Sequence, residues 1–186
     1  MPAAYDDVAT LSEYWRALGR FVHEFALTEA YLQEFLWREA ATTPEVAKSV
    51  FSGVRIEQAM SFCRRIWDAR GSTERRAEFD RPFAQLNVLN GARNDIIHFG
   101  ALGVHAGIFL VSNARIAHTK QTLRTMEATP ETLENMSEDL GAIQAAFIAD
   151  TMTTSVGGGP GHSRGVSEAR SRAMAIYTAS ASSSSA

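Results

Sequence analysis

Residues 86–101 read LNVLNGARNDIIHFGA. At about 100° per residue, Leu86, Leu89, Ile96 and Ile97 fall on one apolar stripe, and this predicts an α-helix. Arg93 sits in the middle of that stripe. An arginine is always charged, so its burial needs a partner, or its stem must pack on the core while the guanidinium reaches water. Beside it Asn87, Gly91, Asn94 and His98, spaced four, three and four, form a polar stripe with Asn90 between them. Asn94 and His98 are an i,i+4 pair, a spacing that lets an amide orient an imidazole. Arg93 and His98 are i,i+5, about 140° apart. They meet on one substrate only if the helix ends near His98 or the site lies at an interface. Gly100 suits such an ending.

Working toward the N-terminus, this helix starts at Thr73 or at Pro82, where a proline either kinks it or marks its true first turn. Ile56, Met60, Cys63, Ile66 and Trp67 predict a helix that ends near Gly71. Thr43-Pro44-Glu45 opens a shorter helix before Gly53, with Thr43 as cap and proline in the first turn. Leu11, Trp15, Leu18, Val22, Phe25, Leu32 and Leu36 predict a long first helix over 12–40. Glu29 lies on that same stripe and calls for a cationic partner. Arg93 is the expected one, in a buried ion pair that fixes helix register, shapes a site, or does both.

Beyond His98 the pattern changes. Gly100, Gly103 and Gly107 punctuate an apolar run, and a small β-hairpin is expected near 104–118, with 108–111 paired to 114–117 through Ser112-Asn113. Thr129-Pro130-Glu131 opens a last helix, carried by Leu133, Met136, Leu140, Ile143 and Phe147 to about Thr151. The expected organisation is one all-α domain over 1–152 with this hairpin inserted, and a flexible, disordered Gly/Ser-rich tail over 153–186, in which 167–177 has weak helical character.

Composition limits the function classes. The chain has 186 residues, enough for one domain with a sizeable core at 45% hydrophobic content. A net charge of −3 argues against a broadly basic nucleic-acid surface but not against a local site. The six arginines between Arg64 and Arg81 are interleaved with Asp68, Glu74, Glu78 and Asp80 and read as a solvated face. Cys63 is the only cysteine, which leaves no intrachain disulfide and no cysteine-based zinc site. His105 and His118 flank the hairpin without a nearby carboxylate or thiolate, so no metal and no cofactor are expected. His23-Glu24 lacks the second histidine of a zinc-protease motif, since residue 27 is Leu. There is no signal-peptide pattern and no apolar run of membrane-spanning length, so a cytoplasmic location without membrane partners is expected.

The segment around Arg93-Asn94 and His98 resembles the signature of HEPN domains, in which an Arg followed by a polar residue precedes a His by a few positions. The resemblance extends over the helical part, from Leu11 to Thr151, but only the signature is specific. The hairpin and the tail are not part of a minimal HEPN bundle. The resemblance implies a helical bundle, commonly dimeric, and metal-independent endoribonuclease chemistry. On it, His98 moves a proton, Arg93 holds the scissile phosphate, and Asn94 orients His98 or binds phosphate. Glu29, Asn87 and Asn90 shape the site or contact substrate. In a homodimer, two copies of the helix end would face one cleft. RNA is then the expected substrate, with an antitoxin or a nucleotidyltransferase as a possible protein partner. Two other readings stay open: a non-catalytic HEPN module binding RNA, a nucleotide or a protein, and an unrelated bundle in which Glu29 and Arg93 are structural.

Overall fold

A computed structural model describes residues 8–105, 108–119 and 123–156. Five helices and three strands follow in the order α1 (Val8–Glu39), α2 (Pro44–Phe51), α3 (Ile56–Arg70), α4 (Thr73–Phe99), β1 (Ala101–His105), β2 (Ile108–Ser112), β3 (Thr125–Glu127) and α5 (Pro130–Val156). The fold is all-α with a small antiparallel hairpin, as the periodicity predicts. The expected tail from residue 157 onward, including its weak helix, lies outside the described residues, while 153–156 form the last turn of α5.

The helix boundaries follow local chemistry. Thr43 accepts a hydrogen bond from the Val46 amide (3.5 Å) ahead of Pro44 at the start of α2. Gly71, at φ 66°, closes α3 in the left-handed conformation. Thr129 Oγ1 accepts from the Thr132 amide (3.1 Å) and opens α5. Of the two expected starts for α4, Thr73 is the observed one. Pro82 lies within the helix, where it withholds the N–H that would bond the Glu78 carbonyl.

The hairpin is present, but its strands pair differently from the expected scheme. The apolar run 108–112 is the central strand, between 101–105 and 125–127, in the order β1-β2-β3. Residues 114–116 form a turn instead of a strand, and the sheet extends past the expected limits at both ends. An alternating apolar run announces a strand without naming its partner. Here Asn113 decides the matter, because its side chain accepts from the Arg124 amide (2.7 Å) and draws 124–127, not 114–117, against β2.

The chain divides into two compact units, Met1–Phe25 with Val88–Glu138, and Ala26–Asn87 with Asp139–Ala186. In the first, Tyr14, Ala17, Phe21 and Phe25 from α1 are buried, as are Leu89 and Ile96 from α4 and Phe109 and Val111 from β2. The Tyr14 ring stacks on Phe109 with centroids 3.7 Å apart. In the second, Phe35, Trp67, Phe79, Phe83 and Phe147 form an aromatic cluster, with Phe35 at 4.6 Å from Phe79 and 5.1 Å from Phe147.

Two stripes need correction. On α4, Leu86, Leu89 and Ile96 are buried as expected, but Ile97 is 48% exposed. On α1, Trp15 and Val22 are 59% and 40% exposed, and the buried seam runs through Tyr14, Ala17, Phe21, Phe25, Thr28 and Leu32. The seam position near Glu29 is therefore held by Thr28, fully buried, whose hydroxyl accepts from Gln144 Nε2 at 3.1 Å. Glu29 stands beside the seam and is half-buried.

Candidate functional site at the C-terminal end of α4

The last turns of α4 carry the signature residues, and all three belong to the first unit. Arg93 is half-buried. Its guanidinium lies over the Phe25 ring, 5.4 Å from the centroid, and its Nη1 donates to Asn94 Oδ1 at 3.0 Å. Within this unit no described carboxylate pairs with it. The aromatic face stabilises the cation without neutralising it, and the bond to Asn94 sets the plane of the guanidinium. A fixed cation of this kind keeps donor capacity for an incoming anion.

Asn94 therefore engages Arg93, and no hydrogen bond joins it to His98 among the described residues. His98 is exposed, with its ring 6.5 Å from that of Phe99. The helix ends one residue later. Gly100 takes φ 61° and its amide bonds the Ile96 carbonyl (2.9 Å), so a left-handed cap fixes the place of His98 at the helix terminus. Since α4 remains helical through Phe99, Arg93 and His98 still point about 140° apart. A single chain thus offers a cation and an exposed imidazole on different sides of one helix end.

The remaining expected residues are distributed unevenly. Asn90 is buried, while Asn87 is exposed and belongs to the second unit, as does Glu29. Asp95, between the signature residues, bonds Arg124 Nη2 from the β2–β3 connection at 2.7 Å. Among the described residues, no group of three His, Cys, Asp or Glu side chains is placed to hold a metal ion, and no helix is long and apolar enough to cross a membrane.

One cluster was missed at the sequence level. In the second unit, Arg75 is ringed by carboxylates: Nη2 lies 2.6 Å from Glu39 Oε1, and Nη1 lies 2.6 Å from Asp150 Oδ1 and 3.2 Å from Glu78 Oε2. Trp67 Nε1 also donates to Glu39 (2.8 Å), and the Arg75 guanidinium lies over the rings of Phe79 and Phe35. Burial by itself would lower the Arg75 pKa, but the bonds to Asp150 and then Glu39 outweigh it, and the net shift is upward. A depression of about 410 Å³, lined by Gly71, Ser72, Thr73, Glu74, Arg75 and Glu78, opens beside it. The donors of Arg75 are already committed to three carboxylates, which makes this a structural clamp and not an anion site. The expected solvated face of arginines thus loses Arg75. Glu39, Arg75 and Asp150 are far apart in sequence, and no local spacing reveals them. Comparison with protein-family models, with curated proteins and with solved structures returns no match.

Proposed function

We propose that the chain is a HEPN-type, metal-independent endoribonuclease that acts as a homodimer in the cytoplasm, as a toxin or defence effector. The observation that carries this reading is the end of α4, where an exposed His98 stands one turn beyond an Arg93–Asn94 pair that has no carboxylate in its own unit. In the proposed reaction the RNA 2′-OH attacks the adjacent phosphorus and the bond from phosphorus to the 5′ oxygen breaks. The proton leaves the 2′-OH for the imidazole of one His98, and the leaving 5′ oxygen takes a proton from that of the other copy. Arg93 binds the non-bridging oxygens as negative charge develops. A dimer would answer the angle of about 140° between Arg93 and His98, because two copies facing one cleft would bring both residue types to one phosphate. Asn90, in the same unit as Arg93, would shape the approach.

Purified protein incubated with total RNA and EDTA should cleave it and leave 2′,3′-cyclic phosphate ends. His98→Ala should abolish cleavage at unchanged melting temperature, since this side chain is exposed. Cleavage that persists in pure His98→Ala protein would remove His98 from the mechanism. The net charge of −3 favours a second reading, a non-catalytic module that binds RNA, a nucleotide or a protein such as an antitoxin or a nucleotidyltransferase. Binding of RNA by the wild-type chain without any cleavage would select it.

A further inference from the structure

We propose that Asp95, held by Arg124, is a positioning residue for His98. The proposal rests on the ribonuclease reading for the reaction that His98 serves. Its first support is the order of charges around the end of α4. Asp95 and His98 are an i,i+3 pair, neighbours on the helix surface with Cβ atoms about 5–6 Å apart. Helical side chains lean toward the N-terminus, so the exposed His98 ring leans over the turn that carries Asp95. Arg93 stands on a different side, about 140° from His98. The helix stops at Phe99, and Gly100 turns the chain away in the left-handed conformation, so no further turn of α4 covers the imidazole.

The second support is the way Asp95 is held. Its side chain is 17% exposed, and Oδ1 accepts from Arg124 Nη2 at 2.7 Å. Arg124 is itself anchored at the start of β3. Its amide donates to the side-chain oxygen of the buried Asn113 (2.7 Å), and its carbonyl accepts from the Asn113 amide (3.2 Å). This clasp between β2 and β3 fixes the Arg124 backbone, and the Arg124 guanidinium fixes the carboxylate. Oδ2 of Asp95 accepts no hydrogen bond among the described residues, and rotation of the His98 side chain brings a ring N–H toward it. From the elements around this helix end, Arg16 and Arg20 of α1 are tied to Glu134 of α5, and neither Glu13 and Glu24 of α1 nor Glu127 of β3 forms an ion pair with His98. In the proposed reaction one His98 takes a proton and the other gives one, so neutral and protonated imidazole must both be populated. A free carboxylate one turn away would favour the imidazolium in both copies. The Arg124 bridge offsets that charge and leaves Oδ2 to orient the ring.

The test is a pH titration of His98 in the full chain, read from the NMR signal of its imidazole ring proton. The chain has five histidines, and loss of one signal in His98→Ala identifies the right one. Arg124→Gln should raise the His98 pKa by about half a pH unit, because it frees the Asp95 charge. Adding Asp95→Asn should bring the value back down, and Arg124→Lys should keep that of the wild type. A bridge that only holds β3 to α4 would move the urea midpoint and not this order of pKa values. In a chain that cleaves RNA, the pH of fastest cleavage should rise with the His98 pKa in Arg124→Gln. A His98 pKa that stays put in Arg124→Gln, or that rises and stays up when Asp95→Asn is added, would overturn the proposal. Either result leaves the ribonuclease reading intact, provided the wild-type chain cleaves RNA. The expected order of pKa values in a chain without cleavage would support the coupling of Asp95 to His98 and remove the catalytic reading.

Discussion

Two arginines of α4 meet opposite fates. Arg75, in the first turn, is enclosed by Glu39, Glu78 and Asp150 and covered by two phenylalanine rings. Arg93, near the last turn, rests on one ring and one neutral amide of its own unit. Both interrupt helical surfaces that pack, and both stay charged. The first is saturated and holds α1, α4 and α5 of its unit to one another, whereas the second keeps donors for something else. An ion cluster with every partner in place stabilises, and a cation seated on an aromatic face is primed for an anion.

The largest expected effect separates these two roles. Arg75→Ala leaves Glu39 and Asp150 without their shared counter-ion, and removing one partner of such a cluster costs about 3 kcal/mol or more. Arg93→Ala loses a ring contact and one hydrogen bond, worth about 1 kcal/mol. Urea denaturation of both variants measures the gap. Equal losses would break the comparison and point to a carboxylate partner for Arg93. A double-mutant cycle with Glu29→Gln would then show whether Glu29 is that partner, as the sequence led us to expect.

Next in size is an alkaline transition of the second unit. Cys63 is buried within it, and burial first, then the Glu39 charge, push its thiol up from 9.0 to about 12. The folded state therefore holds this proton more tightly than the unfolded chain. Its contribution is complete below pH 9 and is lost as pH rises toward 12. Within the range up to pH 11 this amounts to less than about 3 kcal/mol, at ~1.4 kcal/mol per pH unit. Stability measured from pH 8 to 11 should fall, and Cys63→Ala should flatten the fall. An unchanged pH profile in Cys63→Ala would show that other groups control it.

Helix number, most boundaries and the end of α4 at Gly100 are legible in the sequence, because caps, prolines and glycines act locally. The inward face of α1 is less so. Two apolar stripes run along its first half, and counting hydrophobicity favours Trp15 and Val22 over Tyr14 and Ala17. The true seam crosses Thr28, whose polarity hides it until Gln144 is brought alongside from α5. Thr28→Val should test this reading. It keeps the shape but removes an acceptor from a buried amide, and should cost about 1–2 kcal/mol. A neutral result would mean the seam depends on shape alone. The candidate site was legible for the same reason as the boundaries, since Arg93, Asn94 and His98 share one short segment. The Arg75 clamp and the β2–β3 clasp join residues distant in sequence, so no spacing within one segment announces them.

The smallest effects concern how the helices stop, and there the two units exchange places. At the end of α4, in the first unit, the left-handed position falls on Gly100, where a Cβ would meet nothing within 4 Å. After α1, in the second unit, it falls on Ala41 at φ 50°, the only described non-glycine residue with positive φ. The unit with the saturated ion cluster thus carries a strained cap, and the unit with the exposed His98 carries a relaxed one. Since no neighbour crowds it, Gly100→Ala should cost only the backbone term, about 1 kcal/mol. Ala41→Gly should gain about 0.5 kcal/mol, the relief of strain being partly offset by greater freedom in the unfolded chain. Shifts of the urea midpoint at constant slope would report both. If the proposed chemistry holds, the two variants should also differ in activity. Gly100→Ala loosens the turn that places His98 and should slow RNA cleavage by more than its stability loss implies, whereas Ala41→Gly should leave the rate alone. An equal effect on cleavage from both would mean that the cap at Gly100 serves folding only and does not position His98.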